Sequence, residues 1–220
     1  MNQKSLTNID WSKIPAPKGE EKLNHLNNYI IKPIKLKSTA DTLVDLSEIK
    51  GLTIIYIYPM TGQPDKPLPD NWDNIPGARG CTPQSCSFRD NFNALKKLNV
   101  NNIFGLSSQT SEYQKEMAKR LNLPYEVLSD EKLKFANQLK LPIFQVKDLK
   151  LLKRITLILS DNKILKYYAG NHEPDSLNDG GLCYDIETLE QRRMIHSAGY
   201  SPLIGASLEF QAENPSLRDG

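Results

Sequence analysis

Leu52-Thr53-Ile54-Ile55-Tyr56-Ile57-Tyr58 is the stretch on which the fold turns. It carries no charge, it is β-branched and aromatic almost throughout, and Gly51 and Pro59 punctuate its ends. A strand with one wet face alternates apolar and polar residues. This one is continuously apolar, which predicts a strand buried on both faces, as in a sheet covered by helices.

On the C-terminal side, residues 59–80 hold five prolines and three glycines and read as a long loop. A helix is expected next, because Phe88, Phe92, Leu95 and Leu98 fall on one apolar stripe. Val100 to Leu106 reads as a second strand. Ser111 to Leu121 reads as a helix with Tyr113, Met117 and Leu121 on one face. Tyr125 to Leu128 reads as a short strand, and Ser129 as the N-cap of a helix running to about Leu139. Ile155–Leu159 and Ile164–Tyr168 form a hairpin around Asp161-Asn162. On the N-terminal side periodicity is weak up to about residue 48. Ser12–Gly19 is a loop, and Thr42–Ser47 is a short edge strand or a turn. Strands alternating with helices, closed by a hairpin, predict an α/β fold with a mixed central sheet flanked by helices, of the thioredoxin type.

The expected division is an N-terminal extension over 1–26, the thioredoxin-like domain over 27–175, and a C-terminal extension over 176–220. In the last of these, Asn178–Gly181 reads as a turn cluster, Asp185–Ile195 as one polar helix and Gln211–Gly220 as disordered.

The 220 residues carry 28 Lys and Arg against 26 Asp and Glu, a net charge of +2 that calls for no nucleic acid and no anionic membrane. No apolar run approaches the roughly 20 residues that span a bilayer. The polar N-terminus, with Asp10, does not resemble a secretory signal, so a cytoplasmic protein is expected. Three cysteines, Cys81, Cys86 and Cys183, are too few for a disulfide scaffold.

Cys81 and Cys86 lie where the long loop enters a helix. A helix N-terminus offers unpaired N–H groups and a partial positive charge, both of which favour a thiolate, the form that attacks peroxide. Pro83 is tolerated in that first turn, where its missing N–H has no partner to lose. C-x4-C is by itself a weak pattern, and two thiols packed in a core remain the alternative. A zinc site lacks ligands, because His25, His172 and His196 are not spaced as pairs. In a regular helix the axial rise from Cys81 to Cys86 is about 7.5 Å. A disulfide holds Cα atoms roughly 4.4–6.8 Å apart, so pairing the two requires the first turn to unwind.

Tyr58-Pro59 at the strand end, then Gly80-Cys81-Thr82-Pro83-Gln84-Ser85-Cys86-Ser87-Phe88-Arg89-Asp90, with Leu128-Ser129-Asp130 and Arg154–Leu159, resemble the peroxiredoxins, specifically the peroxiredoxin Q or bacterioferritin-comigratory branch. The resemblance covers about residues 27–170. It implies a thiol-dependent peroxidase for hydrogen peroxide or organic hydroperoxides, with Cys81 peroxidatic, Cys86 resolving, and Arg154 beside the peroxidatic sulfur. It also implies thioredoxin or a similar dithiol as reductant; no cofactor or metal, and a monomer or weak dimer, are expected. The runner-up is a thiol–disulfide oxidoreductase or redox-sensing domain on the same fold.

The branch carries Pro, and Thr or Ser, seven and three residues before the peroxidatic Cys, where this chain has Asn74 and Ala78. Pro59 and Thr61, displaced by the insertion Gly62–Gly80, are expected to fold back into those roles; otherwise the hydroxyl contact is lost. Arg89 and Asp90 read more simply as an ion pair than as catalysts.

Overall fold

The computed structural model describes Pro15 and residues 23–64 and 66–169. In chain order they form β1 (Lys35–Ser38), β2 (Leu43–Asp45), β3 (Leu52–Ile57), α1 (Cys81–Asp90), α2 (Phe92–Lys97), β4 (Val100–Ser107), α3 (Ser111–Arg120), β5 (Val127–Ser129), α4 (Lys134–Leu139), β6 (Ile143–Val146), β7 (Leu149–Leu152), β8 (Ile155–Ser160) and β9 (Lys163–Ala169). Seven strands make one sheet in the order β2-β1-β5-β4-β3-β8-β9. The β3, β4 and β5 strands run parallel, while β8 and β9 add antiparallel on one side and β1 and β2 on the other. This is the expected mixed sheet, and β3 is buried at every position.

The two faces of that sheet are packed differently. Ile55 and Ile57 point into one cluster with Leu106, Leu128, Leu157 and the α4 residues Phe135, Ala136 and Leu139. Ile54, Tyr56 and Tyr58 point the other way, under Phe88 of α1, Leu95 of α2 and Met117 of α3. A third, smaller cluster joins Trp72 and Ala78 of the insertion to Val146 and Leu151 of the β6–β7 hairpin.

Several expectations need correction. The single stripe from Phe88 to Leu98 is broken into α1 and α2 at Asn91, whose side-chain amide donates to the Ser87 carbonyl at 3.0 Å and so competes with the helical pattern. The short strand is Val127–Ser129 rather than Tyr125–Leu128. Ser129 ends that strand, its hydroxyl donating to the Gln109 carbonyl at 2.7 Å, and does not cap α4. The capping falls to Asp130, whose carboxylate accepts the N–H of Phe135 at 3.1 Å and of Ala136 at 2.9 Å. On α3 the buried face also takes Ser111 and Gln114, leaving Tyr113 half-buried. Strand β1 and the β6–β7 hairpin were not expected at all.

The expected loop at Ser12–Gly19, apart from Pro15, the N-terminal extension up to residue 22, His172, His196, Cys183 and everything expected after residue 169 lie outside the described residues. Among the described residues no helix is long and apolar enough to cross a membrane, and no group of three or more His, Cys, Asp or Glu could hold a metal ion.

Candidate active site

Gly80 stands at the N-cap of α1 with φ +100°, in the left-handed region where a side chain would be strained. That turn brings Cys81 to the first helical position, 3% exposed. Its thiol donates to the Ala78 carbonyl at 3.5 Å. Arg154, in the link between β7 and β8, places Nη2 3.3 Å from Cys81 Sγ. The same nitrogen lies 2.9 Å from the Arg79 carbonyl and 3.4 Å from that of Gly77, and Nη1 donates to Gln84 Oε1. The guanidinium is thus held by the insertion on one side and by α1 on the other. Its planar fork suits that task, because each contact fixes the direction of the others.

The insertion is itself built rather than slack. Trp72 is buried against the β6–β7 hairpin, with its ring 6.5 Å from that of Phe144. Arg79 pairs with Asp73, and Lys147 at the hairpin turn reaches Asp70 at 2.7 Å. These contacts deliver the Gly77 and Arg79 carbonyls to Arg154.

Cys86 is half-buried at the edge of the cluster under α1, and both described cysteines are free thiols. The helix runs unbroken from Cys81 to Asp90, so it holds them apart. Around it lies a group of phenols, Tyr56 and Tyr58 fully buried and Tyr125 half-buried. Tyr56 is fully buried, and burial pushes its phenol up to about 12. Burial likewise raises Tyr58 and Tyr125 above their ordinary value. All three are neutral hydrogen-bond donors at neutral pH.

Of the four residues singled out in the sequence, the structure brings Cys81 and Arg154 into contact and puts Cys86 on the same helix. Thr61 is buried, but its hydroxyl donates to Gln109 Oε1 at 3.3 Å. Its backbone N–H donates to the same atom at 3.0 Å, and its carbonyl accepts from Gln109 Nε2 at 3.1 Å and from the Tyr113 phenol at 3.0 Å. That residue is stitched to the start of α3, because Gln109 offers both amide atoms to it. The position three before Cys81 contributes a backbone carbonyl from Ala78 in place of a hydroxyl. Arg89 pairs with Asp90 at 2.8 Å and donates to the Leu121 carbonyl at 2.8 Å, matching the simpler expectation.

Sequence reasoning missed Gln84, Ser85 and Tyr125. Gln84 stood three residues after Cys81, on the same helical face, and that spacing was the available signal. Tyr125 gave none, because its contact with α1 is made only by the fold.

The Redoxin family model matches residues 15–180, about three quarters of the chain. Among curated relatives, the chloroplastic peroxiredoxin Q of Sedum lineare is 35% identical over 100 residues, 45% of each chain. The chloroplastic peroxiredoxin Q of Triticum aestivum is 30% identical over 157 residues, 70% of this chain and 63% of that protein. The chain spans about half the length of the curated relatives it matches. Among solved structures, peroxidoxin BcpB of Mycobacterium tuberculosis superposes with a TM-score of 0.57 at 20% identity, covering 71% of this chain and 94% of that one. That likeness shows the fold to be thioredoxin-like.

Proposed function

The chain belongs to the Redoxin family, and from that premise we propose that it is a thiol-dependent peroxidase with Cys81 as nucleophile. The observation that carries this is the Arg154 guanidinium, 3.3 Å from a thiol at the first position of a helix. A fixed cation and the helix terminus both favour negative charge on that sulfur. The Cys81 thiolate attacks the distal oxygen of a peroxide: an S–O bond forms, the O–O bond breaks, and the departing oxygen takes a proton to leave as water or an alcohol. Arg154 donates to the sulfur and to the oxygens on which charge develops. Cys81 is left as a sulfenic acid. The Cys86 thiol then attacks that sulfur, the S–O bond breaks, and hydroxide leaves with a proton as water. A thioredoxin-like dithiol would reduce the resulting disulfide. Hydrogen peroxide or an organic hydroperoxide as substrate, a cytoplasmic setting, and a monomer or weak dimer belong to the same proposal.

The test is the loss of hydrogen peroxide with purified protein and a dithiol reductant, unmutated and as Cys81→Ser. Consumption that Cys81→Ser abolishes supports the peroxidase. Disulfide exchange with no peroxide consumed would replace it with the oxidoreductase.

A further inference from the structure

Ser85 lies on α1 immediately before Cys86, fully buried, and every polar contact it makes holds it in place. Its hydroxyl donates to the Cys81 carbonyl at 3.1 Å. The Tyr125 phenol donates to its backbone carbonyl at 2.8 Å. The Tyr56 phenol lies 3.2 Å from the Ser85 hydroxyl and 3.2 Å from the Tyr125 phenol oxygen, so the three side chains close on one another. The Tyr56 ring also stacks on Phe88 one turn along, with centroids 4.4 Å apart and an angle of 12°. The sheet leaves room for this. Gly105 sits beside Tyr56 in the β3–β4 register, and a Cβ there would come within 2.7 Å of the phenol oxygen.

We propose that this two-tyrosine clamp on Ser85 sets how often α1 opens, and thereby how Cys81 sulfenic acid divides between disulfide and over-oxidation; the proposal rests on the peroxidase function with Cys86 as the resolving thiol. The intact helix separates the two cysteines by about 7.5 Å of axial rise, beyond the roughly 4.4–6.8 Å Cα spacing of a disulfide. Unwinding the first turn from the Cys81 side would pull the Cys81 carbonyl off the Ser85 hydroxyl. Cys86 cannot move toward Cys81 without pulling Ser85 off Tyr125 and Tyr56. While the clamp holds, the sulfenic acid meets only a second peroxide. Its sulfur then attacks the peroxide oxygen, the O–O bond breaks, and sulfinic acid and an alcohol or water result. When the clamp opens, the Cys86 thiol displaces water and the disulfide forms. Tyr56 and Tyr125 are therefore positioning residues that act through the backbone between the cysteines.

The experiment compares the reduced full-length chain with Tyr125→Phe, which keeps the ring and removes the donor. Tyr29→Phe serves as control, since among the described residues that phenol donates to the Gln138 carbonyl and not to α1. In one arm diamide, an azo oxidant that accepts two hydrogens from a dithiol, drives Cys81–Cys86 disulfide formation without peroxide. In the other, rising hydrogen peroxide is followed by mass spectrometry for disulfide and sulfinic acid. Loss of one such hydrogen bond is expected to speed disulfide formation about five- to tenfold in both arms. The peroxide concentration giving half sulfinic acid should rise in proportion. A folded Tyr125→Phe chain whose diamide rate equals the control overturns the clamp. If the unmutated chain closes the disulfide with diamide but consumes no peroxide, the peroxidase reading fails, and the diamide arm alone decides the clamp. Should Tyr125→Phe fail to fold, Ser85→Ala, which removes the hydroxyl that links Tyr56 to the Cys81 carbonyl, is judged by the same two readouts.

Discussion

Strand β3 has two buried faces, and they are made of different materials. Ile55 and Ile57 look into an aliphatic cluster closed by Phe135, Ala136 and Leu139 of α4. Tyr56 and Tyr58, their neighbours in sequence, carry hydroxyls into the opposite layer, where Tyr56 meets Ser85 of α1 and Tyr58 donates to Gln114 of α3 at 3.1 Å. Alternation along one strand thus sends fully apolar surface one way and apolar bodies with polar tips the other. The first face gains its stability mainly from contact area. The second gives up some of that freedom of packing to fix the orientation of the helix that carries both cysteines, because a buried hydroxyl left unpaired costs about 1–3 kcal/mol. The lesson is that burial does not separate structural from functional positions here; the presence of directed polar contacts does.

The sharpest division between the faces should come from Cys81→Ser. Peroxide turnover is expected to fall by a factor of about 1,000 or more, since an alkoxide nucleophile is not available at neutral pH. Thermal midpoint should shift little, because the substitution is nearly isosteric. Ordinary turnover in that variant would remove Cys81 from the reaction. Ile55→Ala, on the aliphatic face, should do the reverse. Deleting a fully buried isoleucine costs about 2–5 kcal/mol of stability, read as a lower denaturation midpoint. Turnover per folded molecule should stay near the unmutated value. If Ile55→Ala instead slows the reaction with stability intact, the two faces are not divided as described.

Arg154→Met comes next. The guanidinium contacts Sγ of Cys81, Gln84 and two loop carbonyls, so its loss should slow the reaction with peroxide by about 10- to 100-fold. A stopped-flow rate for the first peroxide equivalent measures this directly. Because the side chain is only half-buried, the stability change should be smaller than for Ile55→Ala. A larger loss of stability than of rate would make Arg154 a tie for the insertion and nothing more.

The same contrast explains what could be read from the chain. Strand β3 was legible because the seven uncharged residues from Leu52 to Tyr58 have few other places to go, and the Cys81–Cys86 segment was legible because its residues form a recognisable motif. The β6–β7 hairpin was not, since Gln145, Lys147, Asp148, Leu149 and Lys150 are exposed and only Val146, Leu151 and Leu152 are buried. That leaves no period in the sequence. The insertion looked like a loop and is one by backbone apart from a short 3-10 turn at Trp72–Asn74. Its order comes from Trp72 and Ala78 meeting a hairpin far along the chain. The Thr61–Gln109 contact was not legible for a related reason: a hydroxyl's partner is chosen by the fold, and Gln109 gave no sign of being opposite. The cap expected at Ser129 belongs to the next residue, Asp130, whose carboxylate accepts the α4 N–H groups.

That carboxylate offers the finest probe of the aliphatic face. Asp130 is a buried charge at the edge of a cluster otherwise built from hydrocarbon, and burial raises its carboxyl above the ordinary range, opposed by the N–H groups of Ala136, Phe135 and Lys134. A carboxyl raised in the folded state binds its proton more tightly there than in the unfolded chain. Its contribution to stability is therefore fully present below the ordinary carboxyl range and is lost as pH rises through the folded value. Asp130→Asn keeps an oxygen that can accept from Phe135 and Ala136 but cannot ionise. Unfolding midpoints taken across the acid range should show the unmutated protein losing ground to Asp130→Asn as pH increases, by the smallest margin of the four variants. If the difference grows in the opposite direction, hydrogen bonding to the helix α4 N–H groups outweighs burial at this site, and even the hydrocarbon face of the sheet is organised by a favourable charge.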